Sequence, residues 1–267
     1  MQKNLILQGV GGLVILACVA RYLYTLTQVP WTPTFGAAAA AFVFISLAAA
    51  WLLLRRHPGR PKTPWWLPAS LLAGAALCGV LPPVNTAYLS STADLPDVVA
   101  YLFSPFPEET AKLLAVFFVV AVFAPVRRPV EAAVAGMAIG AGYTVAETVN
   151  NSAIAAALGL QSEYFDGVAS MVMLVVMGPF SHAVYTGLAA WGLGQFLCRT
   201  DQSLGWRLSR ITGWFLLAAA LHGAFNASKE LPGVASLFGS IAVTILLWVL
   251  LIWLYRRSRA VASQTSR

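Results

Sequence analysis

The residues able to do acid–base or ligand chemistry lie in otherwise apolar stretches: Glu108, Glu109, Lys112, Glu147, Asn150, Asn151, His182, Thr186, His222 and Asn226. Two of the protein's three histidines are among them. A carboxylate held in a low-dielectric pocket beside an imidazole can take a proton from water. A carboxamide and a second imidazole can then donate to the oxyanion formed when that water attacks a carbonyl. The same carboxylates and imidazoles can hold Zn²⁺ with a position open to water. Spacing does not separate the two chemistries, because the donors come from different segments. No HExxH, GxSxG, CxxC or phosphate-binding glycine loop is present, and no cysteine is placed beside a histidine as a nucleophile.

These groups are costly where they stand. Pro107-Glu108-Glu109-Thr110-Ala111-Lys112 leads directly into the apolar run Leu113–Ala124. On insertion scales each charge costs about 2.5–3.5 kcal/mol at a bilayer centre, and each Leu, Val or Phe returns only about 0.3–0.6. The three charges must therefore lie near the end of a span or face a protein interior that receives them.

The bulk composition fits such an interior. Of 267 residues, 59% are hydrophobic and 10% charged, with a mean hydropathy of +0.74; soluble domains carry about 25% charged residues. The net charge of +7 sits in short clusters between apolar runs. It therefore reads as membrane topology, and no nucleic-acid partner is expected. Cys18, Cys78 and Cys198 are odd in number and form no CxxC, which supports neither a disulfide framework nor a zinc knuckle.

Eight apolar segments each approach the roughly 20 residues a crossing needs: Leu5–Leu26, Phe35–Leu54, Trp65–Leu81, Pro107–Ala124, Val130–Leu158, Met171–Leu197, Trp206–Ser228 and Val234–Tyr255. The expected fold is an all-α, polytopic helical bundle forming one integral-membrane domain over residues 1–267. Pro179 is expected to kink the sixth segment. The first segment reads as a retained anchor, being long, led only by Lys3 and lacking a good lipidation box at Ile15-Leu16-Ala17-Cys18. Arg55, Arg56, Arg60, Lys62, Arg127, Arg128, Arg199, Arg207, Arg210, Arg256, Arg257 and Arg259 fall in loops of one side if there are eight crossings. The other side holds Asp94, Asp97, Glu163, Asp166 and Glu230 against Arg21 and Lys229. The positive-inside rule then places both termini in the cytoplasm. A short surface helix is expected around Leu95–Phe103.

Depth brings the polar groups together. Lys112 lies about 6 Å below Glu108, and Glu147 roughly 25 Å above the inner start of its helix at 1.5 Å per residue. His182, His222 and Asn226 reach the same outer-half layer. Glu108/Lys112, Glu147/Asn151, His182/Thr186 and His222/Asn226 are i,i+4 pairs sharing a face. Glu108 and Glu109 point about 100° apart, so they are not expected to address one atom in the same way. Gly136, Gly140 and Gly142 offer a small surface for close backbone approach just below Glu147.

Structural readings compete residue by residue. Glu108 and Glu109 can complement a helix dipole, a lone histidine can be a packing residue, and Glu147 with its asparagines can clamp two helices. Lys112 favours a site, because a buried cation one turn deeper needs partners.

The motifs Glu108-Glu109-x-x-Lys112, Gly142-Tyr143 to Glu147, Pro179-x-x-His182 and His222-x-x-x-Asn226, in this order over roughly residues 105–228, resemble those of the PrsW family of intramembrane proteases. That family belongs to a superfamily with the CAAX-prenyl endopeptidases and bacterial CPBP proteins. One departure is Thr148 directly after Glu147, where the family usually has Asn. The resemblance implies a multi-pass protein of the cell (inner) membrane that hydrolyses a peptide bond in a membrane-protein substrate, with anti-sigma factors as the best-known type. It implies that the glutamates and histidines act on water, with Zn²⁺ held by Glu109, His182 and His222 in a metallo-mechanism and no metal in a glutamate-type one.

The combined expectation is an endopeptidase in which Glu108 or Glu109, with His182, activates water. His222 and Asn226 stabilise the oxyanion, Lys112 neutralises the glutamate pair and Glu147 supports. The outer-half depth suits a cut near the extracytoplasmic end of a substrate span, and argues against prenyl processing from the cytoplasmic side. The rivals are a transporter using the same polar layer, which would favour broken helices in matching halves, and a non-catalytic membrane scaffold. The oligomeric state is not readable from the sequence.

Overall fold

A computed structural model describes residues 2–29, 31–158 and 180–264. Every element among them is helical: α1 (Gln2–Leu26), α2 (Pro33–Leu54), α3 (Trp66–Leu77), α4 (Pro82–Ser91), α5 (Asp97–Phe103), α6 (Pro105–Val122), α7 (Pro129–Leu158), α8 (Ser181–Cys198), α9 (Leu204–Lys229) and α10 (Val234–Gln264).

Prolines and side-chain caps set the boundaries. The Thr32 side chain accepts from the Phe35 N–H at the start of α2, and that of Ser203 from Trp206 N–H at the start of α9. Pro33, Pro82 and Pro105 open their helices, where a missing N–H costs nothing. The third segment does not run unbroken to Leu81. Its helix ends at Leu77, and Pro82-Pro83 start α4 with a bend of 42°. The stretch from Pro82 to Phe106 thus holds two short helices, α4 and α5, where one was expected. The fourth segment starts two residues earlier than expected, at Pro105, and the last runs on to Gln264. Met171–Pro179, including the expected kink, lie outside the described residues.

Among the described residues, five helices are long and apolar enough to cross a membrane, or six if the bent α3–α4 pair is one span. With Glu108, Glu109 and Lys112 inside its 18 residues, α6 is too charged to count among them. The outer helices α1, α2 and α10 expose Leu5, Leu13, Phe44, Ile45, Phe238 and Trp253, an apolar belt larger than soluble monomers carry.

At the centre stands α7, with 94% of its most apolar stretch buried, packed along α8, which is buried over most of its length. Their contact is backbone on backbone. A Cβ on Gly136 or Gly140 would collide with the carbonyls of Thr186 or His182, and one on Gly142 with that of Leu71 on α3. The small surface expected on this helix therefore serves two neighbours, and α8 rests on Gly140 at the turn that carries His182. Around this pair, α9 packs on α8, α5 and α6, while α6 touches α3, α7 and α8.

Candidate active site

Four helices deliver one cluster. The Lys112 ammonium of α6 lies 2.5 Å from Glu108 Oε1, 2.9 Å from Glu109 Oε1 and 2.6 Å from His182 Nδ1 of α8. His182 Nε2 is 2.7 Å from Glu147 Oε2 of α7, and His222 Nδ1 of α9 is 2.8 Å from Glu109 Oε1. Glu108, Glu109, Lys112, His182 and His222 are all buried, Glu109 and Lys112 completely. Such a set is stable only because each charge meets an opposite charge or a hydrogen-bonding partner.

The contacts fix the His182 tautomer. An ammonium only donates, so Nδ1 accepts from Lys112, and Nε2 carries the hydrogen that meets Glu147. Glu147 thus has a definite place: it holds the imidazole from behind, assisted by Tyr143 Oη at 3.3 Å from its Oε1. Glu147 joins α7 to α8 through His182, and among the described residues its asparagines take no part in that contact. Asn150 hydrogen-bonds Asn151, and neither is recorded bonding to Glu147.

The angular expectation for the glutamate pair is corrected in the same place. Glu108 and Glu109 do address one atom, because Lys112 is i+4 from the first and i+3 from the second. They differ in what else they face. Glu108, His182, His222, Glu147 and Asn226 line a cavity of about 430 Å³, whereas Glu109 and Lys112 stand behind its wall. Asn226 is half-buried; its Nδ2 lies 3.4 Å from Ser104 Oγ and outside the ionic cluster. Thr148, the departure from the family pattern, is buried on the cavity wall, and Lys229 and Glu230 line it at the end of α9.

Two tyrosines complete the site: Tyr143, which entered above only as part of a motif and without a role, and Tyr185, which was not singled out. Tyr143 places its ring 4.2 Å from the Lys112 nitrogen, a cation–π contact. Tyr185 stacks on His222 with ring centres 4.7 Å apart and an 8° interplanar angle, and its buried hydroxyl has no hydrogen-bond partner among the described residues. The available signal was spacing: Tyr143 is four residues before Glu147, and Tyr185 three after His182.

By donor type the cluster suits a divalent metal. One ligand atom each from Glu108, Glu109, His182 and His222 lie within 4.8 Å of one another, and Glu109 Oε2 is buried with no partner among the described residues. Mixed imidazole and carboxylate donors are those zinc takes. Lys112 uses three of the same lone pairs.

Buried carboxylates and imidazoles gathered around a cavity within an apolar helical bundle are the residue types a membrane-embedded hydrolase would use. Residues 62–254 match the family model described as PrsW family intramembrane metalloprotease. The chain belongs to this family of peptidases. No curated protein and no solved structure gives a significant match to it.

Proposed function

We propose that the protein is an eight-span intramembrane endopeptidase of the cell (inner) membrane, with both termini cytoplasmic, that cuts a membrane-protein substrate of anti-sigma-factor type near its extracytoplasmic side. The observation that carries this reading is the convergence of Glu108, His182, His222 and Asn226 on one cavity.

Glu108 lines the cavity, where a water can donate to its carboxylate, while His182, held by Lys112 and Glu147, keeps Lys112 in place beside it. As the water oxygen bonds to the substrate carbonyl carbon, its proton passes to Glu108. Its other neighbours stay fixed: Lys112 offsets the carboxylate charge, and Glu147 holds the His182 ring. The resulting oxyanion is met by Asn226 Nδ2 and, when His222 carries a hydrogen on both ring nitrogens, by its Nε2–H, the Nδ1–H being held by Glu109. When the carbon–nitrogen bond breaks, Glu108 returns the proton to the leaving amine. A divalent metal, where bound by Glu108, Glu109, His182 and His222, would supply Lewis-acid polarisation of the water or carbonyl.

The test is cleavage of a single-span substrate in proteoliposomes made with ¹⁸O-water. The new C-terminal carboxylate should carry one ¹⁸O and map to the extracytoplasmic end of the span. Unlabelled products, or ion flux without cleavage, would count against the reading.

A further inference from the structure

The Lys112 ammonium has three hydrogens, and three acceptors surround it: Glu108 Oε1, Glu109 Oε1 and His182 Nδ1. These belong to three of the four groups that could hold a metal. Zinc requires about 2.0–2.2 Å to oxygen and nitrogen donors. Because Glu108 Oε1 and His182 Nδ1 are 3.6 Å apart, any point about 2.1 Å from all three acceptors lies within about 3 Å of the Lys112 nitrogen. An ammonium and a dication at that separation compete for the same donor atoms and repel each other. With Lys112 in place, the donors it leaves to a metal are His222, Glu108 Oε2 and Glu109 Oε2, which has no partner among the described residues; His182 is taken, so the four-donor set is not available.

We propose that Lys112 is the resident cation of this site, and that a divalent metal takes the four-donor set only by displacing it. The two cations are alternatives, and Lys112 sets how tightly the site binds metal. This rests on the cluster identified above as the reactive site, but not on the reaction it performs.

The experiment compares wild type, Lys112→Met and Lys112→Arg, stripped with chelator and purified in nanodiscs. Zinc affinity is measured by competition with a chromophoric chelator, and bound zinc by elemental analysis. Methionine fills the stem volume without the charge, so Lys112→Met should bind zinc at least about tenfold more tightly than wild type. Arginine keeps the charge needed to pair the two glutamates and grips carboxylates as a fork, so Lys112→Arg should bind at least about tenfold more weakly. Equal affinity in all three proteins, weaker binding by Lys112→Met, or zinc bound by none of them would overturn the proposal. If Lys112→Met does not accumulate folded, wild type against Lys112→Arg decides, and equal affinity there overturns it. Proteolysis is not part of the readout, so failure of the cleavage reading and failure of this one are separately visible.

Discussion

His182 has both ring nitrogens committed, one to Lys112 and one to Glu147, which makes Glu147 a positioning residue. Removing such a partner behind a working imidazole costs about 10–100-fold. Glu147→Ala should therefore lower cleavage by that factor without abolishing it, and Glu147→Gln, whose amide oxygen can still accept from Nε2, should recover most of the loss. Steady-state cleavage of the two variants checks this; equal, complete loss in both would show a direct catalytic role instead. At this scale the sequence was informative wherever a polar residue stood in an apolar span, because the membrane makes each one expensive. It gave Tyr143 no role beyond its place in a motif and was silent on Tyr185, since an aromatic residue in a span looks the same whether it packs on lipid or on an imidazole. It misjudged the glutamate pair, because the 100° step considers only the two carboxylates and ignores the long lysine stem that reaches both.

The pairing of α7 with α8 decides whether His182 meets Glu147 at all. A side chain on Gly140 would meet the His182 carbonyl, so α8 would have to move at the turn that bears the imidazole. Gly140→Val should cost about 1–3 kcal/mol, as overpacking does, and reduce cleavage more than stability. Thermal unfolding and turnover of the same preparation measure both; wild-type turnover would show that the helix contact does not set the site. The spacing Gly136-x-x-x-Gly140 made this contact legible in advance, and loop charge with rise per residue brought the polar groups of α6–α9 to one depth. The break between α3 and α4 was not legible by hydropathy, which runs on through Cys78–Leu81; the signal was Pro82-Pro83, placed at the end of the span rather than read as the start of a new helix.

The end of the molecule away from the cavity is held by the third histidine. His57, in the loop between α2 and α3, is buried; its Nδ1 accepts from the Gly59 N–H at 3.0 Å and its Nε2 lies 3.0 Å from Ser258 Oγ of α10. Burial is the main cause that pushes this imidazole down to about 4, from an ordinary 6.5. Between these values the unfolded chain binds a proton that the folded one refuses. Stability should therefore fall as pH drops from about 6.5 to about 4, by up to about 3 kcal/mol, and stay flat in this respect above 6.5. In His57→Gln that fall should be missing from a series of thermal unfolding curves; an unchanged pH profile would show that another group titrates there. Hydropathy alone would leave this histidine among the loop residues, since its partner on α10 is about two hundred positions away in the chain.

The central proposal is water activation by Glu108 in the cavity that His182 and His222 also line. The most direct test is turnover of a reconstituted single-span substrate by wild type and by Glu108→Gln, His182→Ala and His222→Ala, each verified as folded by its unfolding curve. General acid–base groups contribute about 10²–10⁴-fold, so the account predicts a loss of at least about 100-fold in each variant. Wild-type turnover in all three would contradict it.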